Sequence, residues 1–203
     1  MTDLEQRLRE AAPDPFLDKP HLASALAQRA AAARLLDVAY ASIDSPLGEL
    51  TVFVTPRGLL RVAYDTEAGE AVMAEVAEEV SPRILRAAKR TDGARRQIDG
   101  YFASNRRTFD LAIDWSLVHG FARGVLLATA GVPFGQITTY GSMARAAGSP
   151  RAARAAGNAL GSNPIPIVVP CHRVLHADGT LGGYSGGLDR KRILLALEGS
   201  LPA

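Results

Sequence analysis

Residues 163–170, Asn-Pro-Ile-Pro-Ile-Val-Val-Pro, place the strongest local limit on how this chain can fold. Ile165, Ile167, Val168 and Val169 call for burial. Pro164 and Pro166 interrupt the run, each fixing its own φ and removing a backbone donor, so a regular central strand is excluded. The stretch is expected to be a stiff, buried, irregular segment. It ends at Cys171, the only cysteine in 203 residues, which is followed directly by His172 and Arg173. A reactive atom at the end of such a segment is better fixed in space than one on a mobile loop.

A lone cysteine is most often a small buried hydrophobe without chemistry. Three neighbours argue for more here: His172 is adjacent, Arg173 adds a positive charge, and Tyr184-Ser185-Gly186-Gly187 follows soon after. An electropositive setting of this kind favours a thiolate. Adjacency is not contact, because neighbouring side chains in an extended segment point to opposite faces. A third group must therefore complete the site.

Composition bounds the class. Hydrophobic residues make up 47% and charged residues 22%, as in ordinary soluble globular proteins, and the length suits one or two domains. No apolar run approaches the roughly 20 residues of a membrane span. The N-terminal stretch lacks the apolar core of a signal peptide. A single cysteine excludes an internal disulfide, and the expected location is the cytoplasm. His21, His119, His172 and His176 lack cysteine partners at ligand spacing, so no metal site is expected. Net charge is +2, but residues 116–203 hold eight Lys/Arg against three acids, leaving this part at +5 and the remainder at −3. A basic C-terminal half fits either a polyanion-facing domain or a merely solvated face.

Along the chain, residues 1–36 read as helical, with Leu4 and Leu8 on one face, a break from Pro13 to Pro20, and Leu22 and Leu26 one turn apart. This extension suits a packing cap or a partner-docking arm. From Asp37 the period changes to two. Strands around 39–43, 50–54 and 60–64, with turns at Ser45-Pro46-Leu47-Gly48 and Pro56-Arg57-Gly58, predict an antiparallel meander. Val72, Val76 and Val80 mark a helix, Ile98, Tyr101 and Phe102 another, and Phe109, Leu111 and Ile113 a further strand. The expected organisation is a helical extension over 1–36, a small α+β domain over 37–115, and a mostly helical domain over 116–203.

Within the last domain, Phe121 to Ala130 reads as an amphipathic helix. Residues 138–148 and 149–160 then read as two short helices meeting at a Gly-Ser-Pro turn, with Ser149 as N-cap and Pro150 at the first helical position. That is a helix-turn-helix pattern. The second helix carries Ala152, Ala153, Ala155, Ala156 and Gly157, and its only long side chains are Arg151 and Arg154. A major-groove reader needs several long polar side chains. This helix suits close approach to a narrow groove with one arginine pushed into the base stack, or plain packing.

Tyr140, Arg154, Asn163, Pro170-Cys171-His172-Arg173-Val174, Tyr184-Ser185-Gly186-Gly187 and Leu195-Ala196-Leu197-Glu198-Gly199 occur in this order. Here the chain strongly resembles the O6-alkylguanine-DNA alkyltransferases, densely from about Phe121 to Gly199 and more thinly over Asp37 to Trp115. The resemblance implies an α+β protein with a ribonuclease-H-like sheet domain and a winged-helix-like DNA-binding domain. It implies stoichiometric, irreversible alkyl transfer from O6-alkylguanine, and from O4-alkylthymine, in double-stranded DNA to Cys171, with no cofactor and no metal. His172 would deprotonate the thiol through a water, Glu198 would orient His172, and Asn163 would brace the segment. Arg154 would fill the gap left by a flipped base. Ala152, Ala153, Ala155, Gly157, Thr139 and Arg151 would meet DNA, and Tyr140 would help rotate the nucleotide and donate a proton. Val174, Leu160, Tyr184, Ser185 and Gly186 would form the pocket. A monomer in solution is expected, with clustering on DNA left open.

The chain departs from the family's pattern at Asn158, where a second glycine is common, and lacks the zinc-binding cysteines of some relatives. Its N-terminal extension has no counterpart there. The competing readings are a Cys-His hydrolase, a non-catalytic reader of alkylated DNA, and a transcription regulator. The first leaves the helix-turn-helix unexplained, Cys171 argues against the second, and the bare second helix argues against the third.

Overall fold

The structure is a computed structural model that describes residues 20–33 and 35–201. The expected helical turn around Leu4 and Leu8 lies outside these residues. Helix α1 (Pro20–Ala32) stops short of Leu36. Leu22 and Leu26 are exposed on it, and the buried contact is Ala27 instead, clustered with Leu36, Ala39 and Ala87. A small side chain thus sets how closely this helix approaches the sheet.

The period-two stretch forms β1 (Val38–Ile43), β2 (Leu50–Thr55) and β3 (Gly58–Tyr64), antiparallel neighbours as expected. The turn between β1 and β2 is closed by Ser45, whose hydroxyl donates to the Gly48 carbonyl and accepts from the Leu47 amide. Gly48 sits at φ +96°, where a side chain would also run into Asp65.

Two expectations need correction. The sheet is mixed, because α2 (Gly69–Glu79) leads into β4 (Ile84–Arg86), which pairs in parallel with β1 to give the order β3-β2-β1-β4. A three-residue strand is too short for alternation to reveal it. Phe109, Leu111 and Ile113 do not form a strand; Ile113 makes a single bridge to Leu59. Side chains hold that segment instead. Gln97 pairs with both the amide and the carbonyl of Asp110, and Phe109 lies 5.6 Å from the Tyr101 ring.

One face of the sheet buries Val38, Phe53, Leu60 and Ala63 under Val72 and Val76 of α2. The other carries Leu50, Val52, Leu59, Val62 and Tyr64, and meets Ile98 and Tyr101 of α3 (Ala88–Phe102). That second core continues unbroken into Val125, Leu126, Ile165, Val169 and Leu194 of the C-terminal half. Each such fully buried side chain contributes about 1.5–3 kcal/mol, so the two halves stabilise each other.

The C-terminal half starts with a 3-10 turn at Trp115–Leu117, whose cap Asp114 also accepts from Thr55 and Arg57 of the sheet. It continues through α4 (Gly120–Ala130), β5 (Thr138–Thr139), α5 (Tyr140–Ala146), α6 (Ala153–Gly161), β6 (Val174–Leu175) and α7 (Leu188–Leu197). Strands β5 and β6 pair in parallel. Helices α5 and α6 are the expected pair, but Ser149 is not the N-cap of the second. Gly148 at φ +80° ends α5, Ser149 to Ala152 makes a turn closed by Ala152 N to Ser149 O at 2.9 Å, and α6 begins at Ala153. The Ser-Pro pair therefore builds the turn rather than the helix start.

Candidate active site

Every residue from 163 to 175 is buried. The segment lies along β3, where the Val62 amide donates to the Pro164 carbonyl at 2.8 Å. Asn163 closes it from within: Oδ1 accepts from the Ile165 amide at 3.0 Å, and Nδ2 donates to the Val169 carbonyl at 2.9 Å. Between these anchors Ile167 has φ +73°, and the Val168 amide reaches the Pro166 carbonyl at 2.9 Å. This is a γ-turn of the rare, strained kind. A β-branched residue held there costs on the order of 1–3 kcal/mol and persists only because the surroundings fix it.

Cys171 opens the 3-10 turn Cys171–Arg173 at the end of this segment and is 4% exposed. Asn163 Nδ2 also donates to its Sγ at 3.1 Å. Burial pushes the thiol up to about 11, against the pull of the Asn163 hydrogen bond and the Lys191 charge. The thiol therefore rests protonated, and a thiolate requires a proton acceptor.

His172 is fully buried, with Nε2 3.0 Å from Glu198 Oε1. Burial holds its pKa below the ordinary value even though Glu198 opposes that. The ring is thus neutral near pH 7. With Nε2 bearing the hydrogen toward the carboxylate, Nδ1 has a free lone pair; it has no hydrogen-bond partner among the described residues. For Glu198, burial alone would raise the pKa, but hydrogen bonds from His172 and Arg173 outweigh it and bring it down to about 2. Glu198 caps the C-terminal end of α7 and also accepts from Tyr101 Oη at 2.7 Å and the Gly135 amide at 3.2 Å.

Arg173 does not serve the thiol, as its position in the sequence suggested. Its Nε and Nη2 grip Glu198 at 2.8 and 2.7 Å, and Nη1 donates to the Val132 carbonyl. Its charge is spent on that carboxylate. The cation whose charge reaches Cys171 is Lys191, fully buried on α7, with Nζ donating to the carbonyls of Val174, at 2.8 Å, and Leu181. Burial lowers Lys191 to about 8, and a thiolate at Cys171 would raise it. In the sequence it hides inside Arg190-Lys191-Arg192, which reads as a solvated basic run. Its spacing of three and four residues from the buried Leu194 and Leu195 was the available signal.

Tyrosines complete the surroundings. The Tyr64 and Tyr184 hydroxyls are 2.7 Å apart, and both phenols are raised chiefly by burial and further by the charge a thiolate would carry at Cys171. Tyr64 comes from β3 and was missed, because a tyrosine ending a strand carries no chemical signature. Tyr140 opens α5, its ring 5.1 Å from that of His176 and its hydroxyl 3.4 Å from the Gly183 carbonyl. Among the described residues no group of three or more His, Cys, Asp or Glu could hold a metal ion.

Comparison with known proteins follows the same two halves. Residues 38–115 match the ribonuclease-like domain of 6-O-methylguanine DNA methyltransferase, and residues 120–200 match its DNA binding domain. The methylated-DNA–protein-cysteine methyltransferase of Mycolicibacterium paratuberculosis is 41% identical over 163 residues, covering 79% of this chain and 92% of that protein. The chain belongs to this family. Among solved structures, the Mycobacterium tuberculosis O6-methylguanine methyltransferase superposes with a TM-score of 0.67 at 37% identity, covering 82% of this chain and 95% of that one. The same organism's OGT in complex with DNA gives 0.68 at 37%, covering 80% and 93%.

The remaining positions singled out by the family resemblance fall on two surfaces. On α6 and the turn before it, Arg151, Arg154, Ala155 and Asn158 are exposed, Ala152, Ala153 and Gly157 are half-buried, and Ala156, Ala159 and Leu160 face the core. Gly157 lies against the Tyr140 ring, where an added Cβ would sit 3.7 Å away, so the two helices of the pair touch at this point. Thr139 caps α5, its Oγ1 accepting from the Ser142 amide at 3.2 Å. Of the expected pocket residues, Val174 is buried, Gly186 is buried against Tyr64, and Ser185 is exposed. Leu160 belongs to the same core cluster as Cys171.

Proposed function

We propose that this protein repairs alkylated DNA by moving the alkyl group of O6-alkylguanine onto Cys171, once per molecule. The observation that carries this reading is the single cysteine, buried beside a neutral histidine held by Glu198, in a member of a family named for that transfer. The thiol proton passes through a water to His172 Nδ1, and the imidazolium is stabilised by Glu198. Sγ attacks the alkyl carbon, the bond from that carbon to O6 breaks, and its electron pair stays on the departing guanine, which Tyr140 protonates. Atoms and charge balance without a metal or organic cofactor.

Duplex DNA lies along α6, with Ala152, Ala153, Ala155 and Gly157 against the minor groove, Arg151 and Thr139 flanking it, and Arg154 filling the stack left by the flipped nucleotide. Val174, Tyr184, Ser185 and Gly186 wall the base, with Leu160 beneath; Asn163 braces the segment. The exposure of Arg154 and Ala155 and the burial of Val174 and Gly186 support these roles. O4-alkylthymine is a second substrate. The division of labour follows a sheet domain over 37–115 and a transfer domain over 116–203, acting as a monomer in the cytoplasm. The test is incubation with a duplex carrying O6-methylguanine, followed by peptide mapping. A methyl group on the Cys171 peptide supports the reading. Damage-specific binding with an unmodified Cys171 would point to a non-catalytic reader.

A further inference from the structure

Arg190, on the first turn of α7, binds more elements than any role in the transfer chemistry explains. Its Nε donates to the Leu47 carbonyl at 2.8 Å, in the turn between β1 and β2. Its Nη1 reaches Thr66 Oγ1 at 3.0 Å and the Gly186 carbonyl at 3.1 Å, and Nη2 pairs with Asp65. The guanidinium also lies over the Tyr64 ring, 4.7 Å from its centroid. Only 15% of its side chain is exposed. An isolated surface ion pair is worth little, but a planar fork spread over four partners and an aromatic face fixes geometry in a way a lysine could not.

What it fixes is the wall beside Cys171. Tyr64 passes the constraint on through its hydroxyl to Tyr184 at 2.7 Å, and its ring lies so close to Gly186 that a Cβ there would come within 2.7 Å of it. Residues 176–187 form no helix or strand, so this stretch depends on such contacts for its shape. We infer that Arg190 and Tyr64 are positioning residues through which the N-terminal sheet sets the substrate-binding wall formed by Tyr184 and Gly186. Among the described residues neither has a hydrogen bond or ion pair with His172 or Glu198; their hydrogen bonds run to the turn after β1, to Asp65 and Thr66, and to the wall itself, so their effect falls on binding rather than on the proton relay. The wall governs how well an O6-alkylated base is held, and the thiol, His172 and Glu198 govern how fast it reacts.

This inference rests on the alkyl-transfer reading, and single-turnover saturation kinetics with free O6-benzylguanine test both. Wild-type protein must gain one benzyl group on Cys171; its absence would overturn the alkyl-transfer reading and this inference with it. Given that adduct, Tyr64→Phe, which removes one buried hydroxyl, should raise the half-saturating concentration about three- to tenfold. Its limiting rate should stay within about twofold of wild type. Arg190→Met should do at least as much, Arg190→Lys should recover only part of the loss, and the double variant should fall short of additivity because both act through one wall. Unchanged half-saturation in folded Tyr64→Phe and Arg190→Met, with only a lowered Tm, would reduce the clamp to a structural tie. A lowered limiting rate at unchanged half-saturation would also overturn it. If Arg190→Met does not fold, Tyr64→Phe decides.

Discussion

Glu198 accepts hydrogen bonds from Tyr101, Gly135, His172 and, twice, Arg173. These hydrogen bonds favour the ionised carboxylate, and burial favours the neutral form of His172 beside it. Both have folded pKa values below their ordinary ones of 4.5 and 6.5. At these two groups the unfolded chain therefore binds more protons as pH falls, so the stability they contribute is full above about pH 6.5 and is lost on acidification. His172 contributes first, and Glu198 follows from 4.5 down to about 2. Denaturant midpoints measured against pH should show this loss. Glu198→Gln should be less stable at pH 7 by about 3–5 kcal/mol, because it strands the Arg173 charge, and its profile should be flatter below pH 4.5. At this scale residue type pointed to Cys171 and His172 and the family resemblance to Glu198, and the structure buries all three, with His172 and Glu198 in contact. The partners of Arg173 and the burial of Lys191 were not legible, because a cation's counterpart depends on contacts far along the chain.

At the scale of elements, the DNA-facing role proposed for α6 rests on what the helix lacks. Its outward face offers Arg154 and small residues, and its inward face buries Ala156, Ala159 and Leu160. If Arg154 fills the stack as proposed, Arg154→Ala should leave Cys171 reactive toward free O6-benzylguanine yet slow transfer from duplex DNA, since unstacking a base costs a few kcal/mol that the arginine would offset. Parallel rate measurements on the two substrates check this, and equal losses on both would rule out intercalation. The helix pair could be read from the sequence because Gly148 and the proline after it punctuate it. The N-cap could not, because Ser-Pro suits a turn and a helix start alike. The segment from Asn163 to Pro170 was legible as buried and irregular, but not in its path: the γ-turn at Ile167 is imposed by Asn163 and β3, not by Ile167's own preference.

At the scale of the molecule, one core runs from the sheet through α3 to Cys171 and α7. An alkyl group added to a cysteine 4% exposed must be fitted among packed neighbours. Overpacking costs about 1–3 kcal/mol. In a chain of this size each kcal/mol lowers Tm by about 2–4 °C, so methylated protein should melt below unmodified protein in a thermal scan. The +5 charge of residues 116–203 should make DNA binding largely independent of sequence and weaker as salt rises. Binding insensitive to salt, or tied to one operator sequence, would favour a regulator.

On the proposed reading Cys171 accepts one alkyl group and does not release it. A thioether there has no leaving group that water or His172 displaces readily, and no second cysteine is present to resolve it. The most direct test is a titration of a fixed amount of protein with excess duplex carrying O6-methylguanine, reading demethylated DNA over time and the intact protein mass at the end. A burst equal to the amount of active protein is expected, then a flat line, with a single methyl group on the protein and no burst in Cys171→Ser. Continued turnover beyond one methyl per molecule, or transfer surviving Cys171→Ser, would contradict that reading.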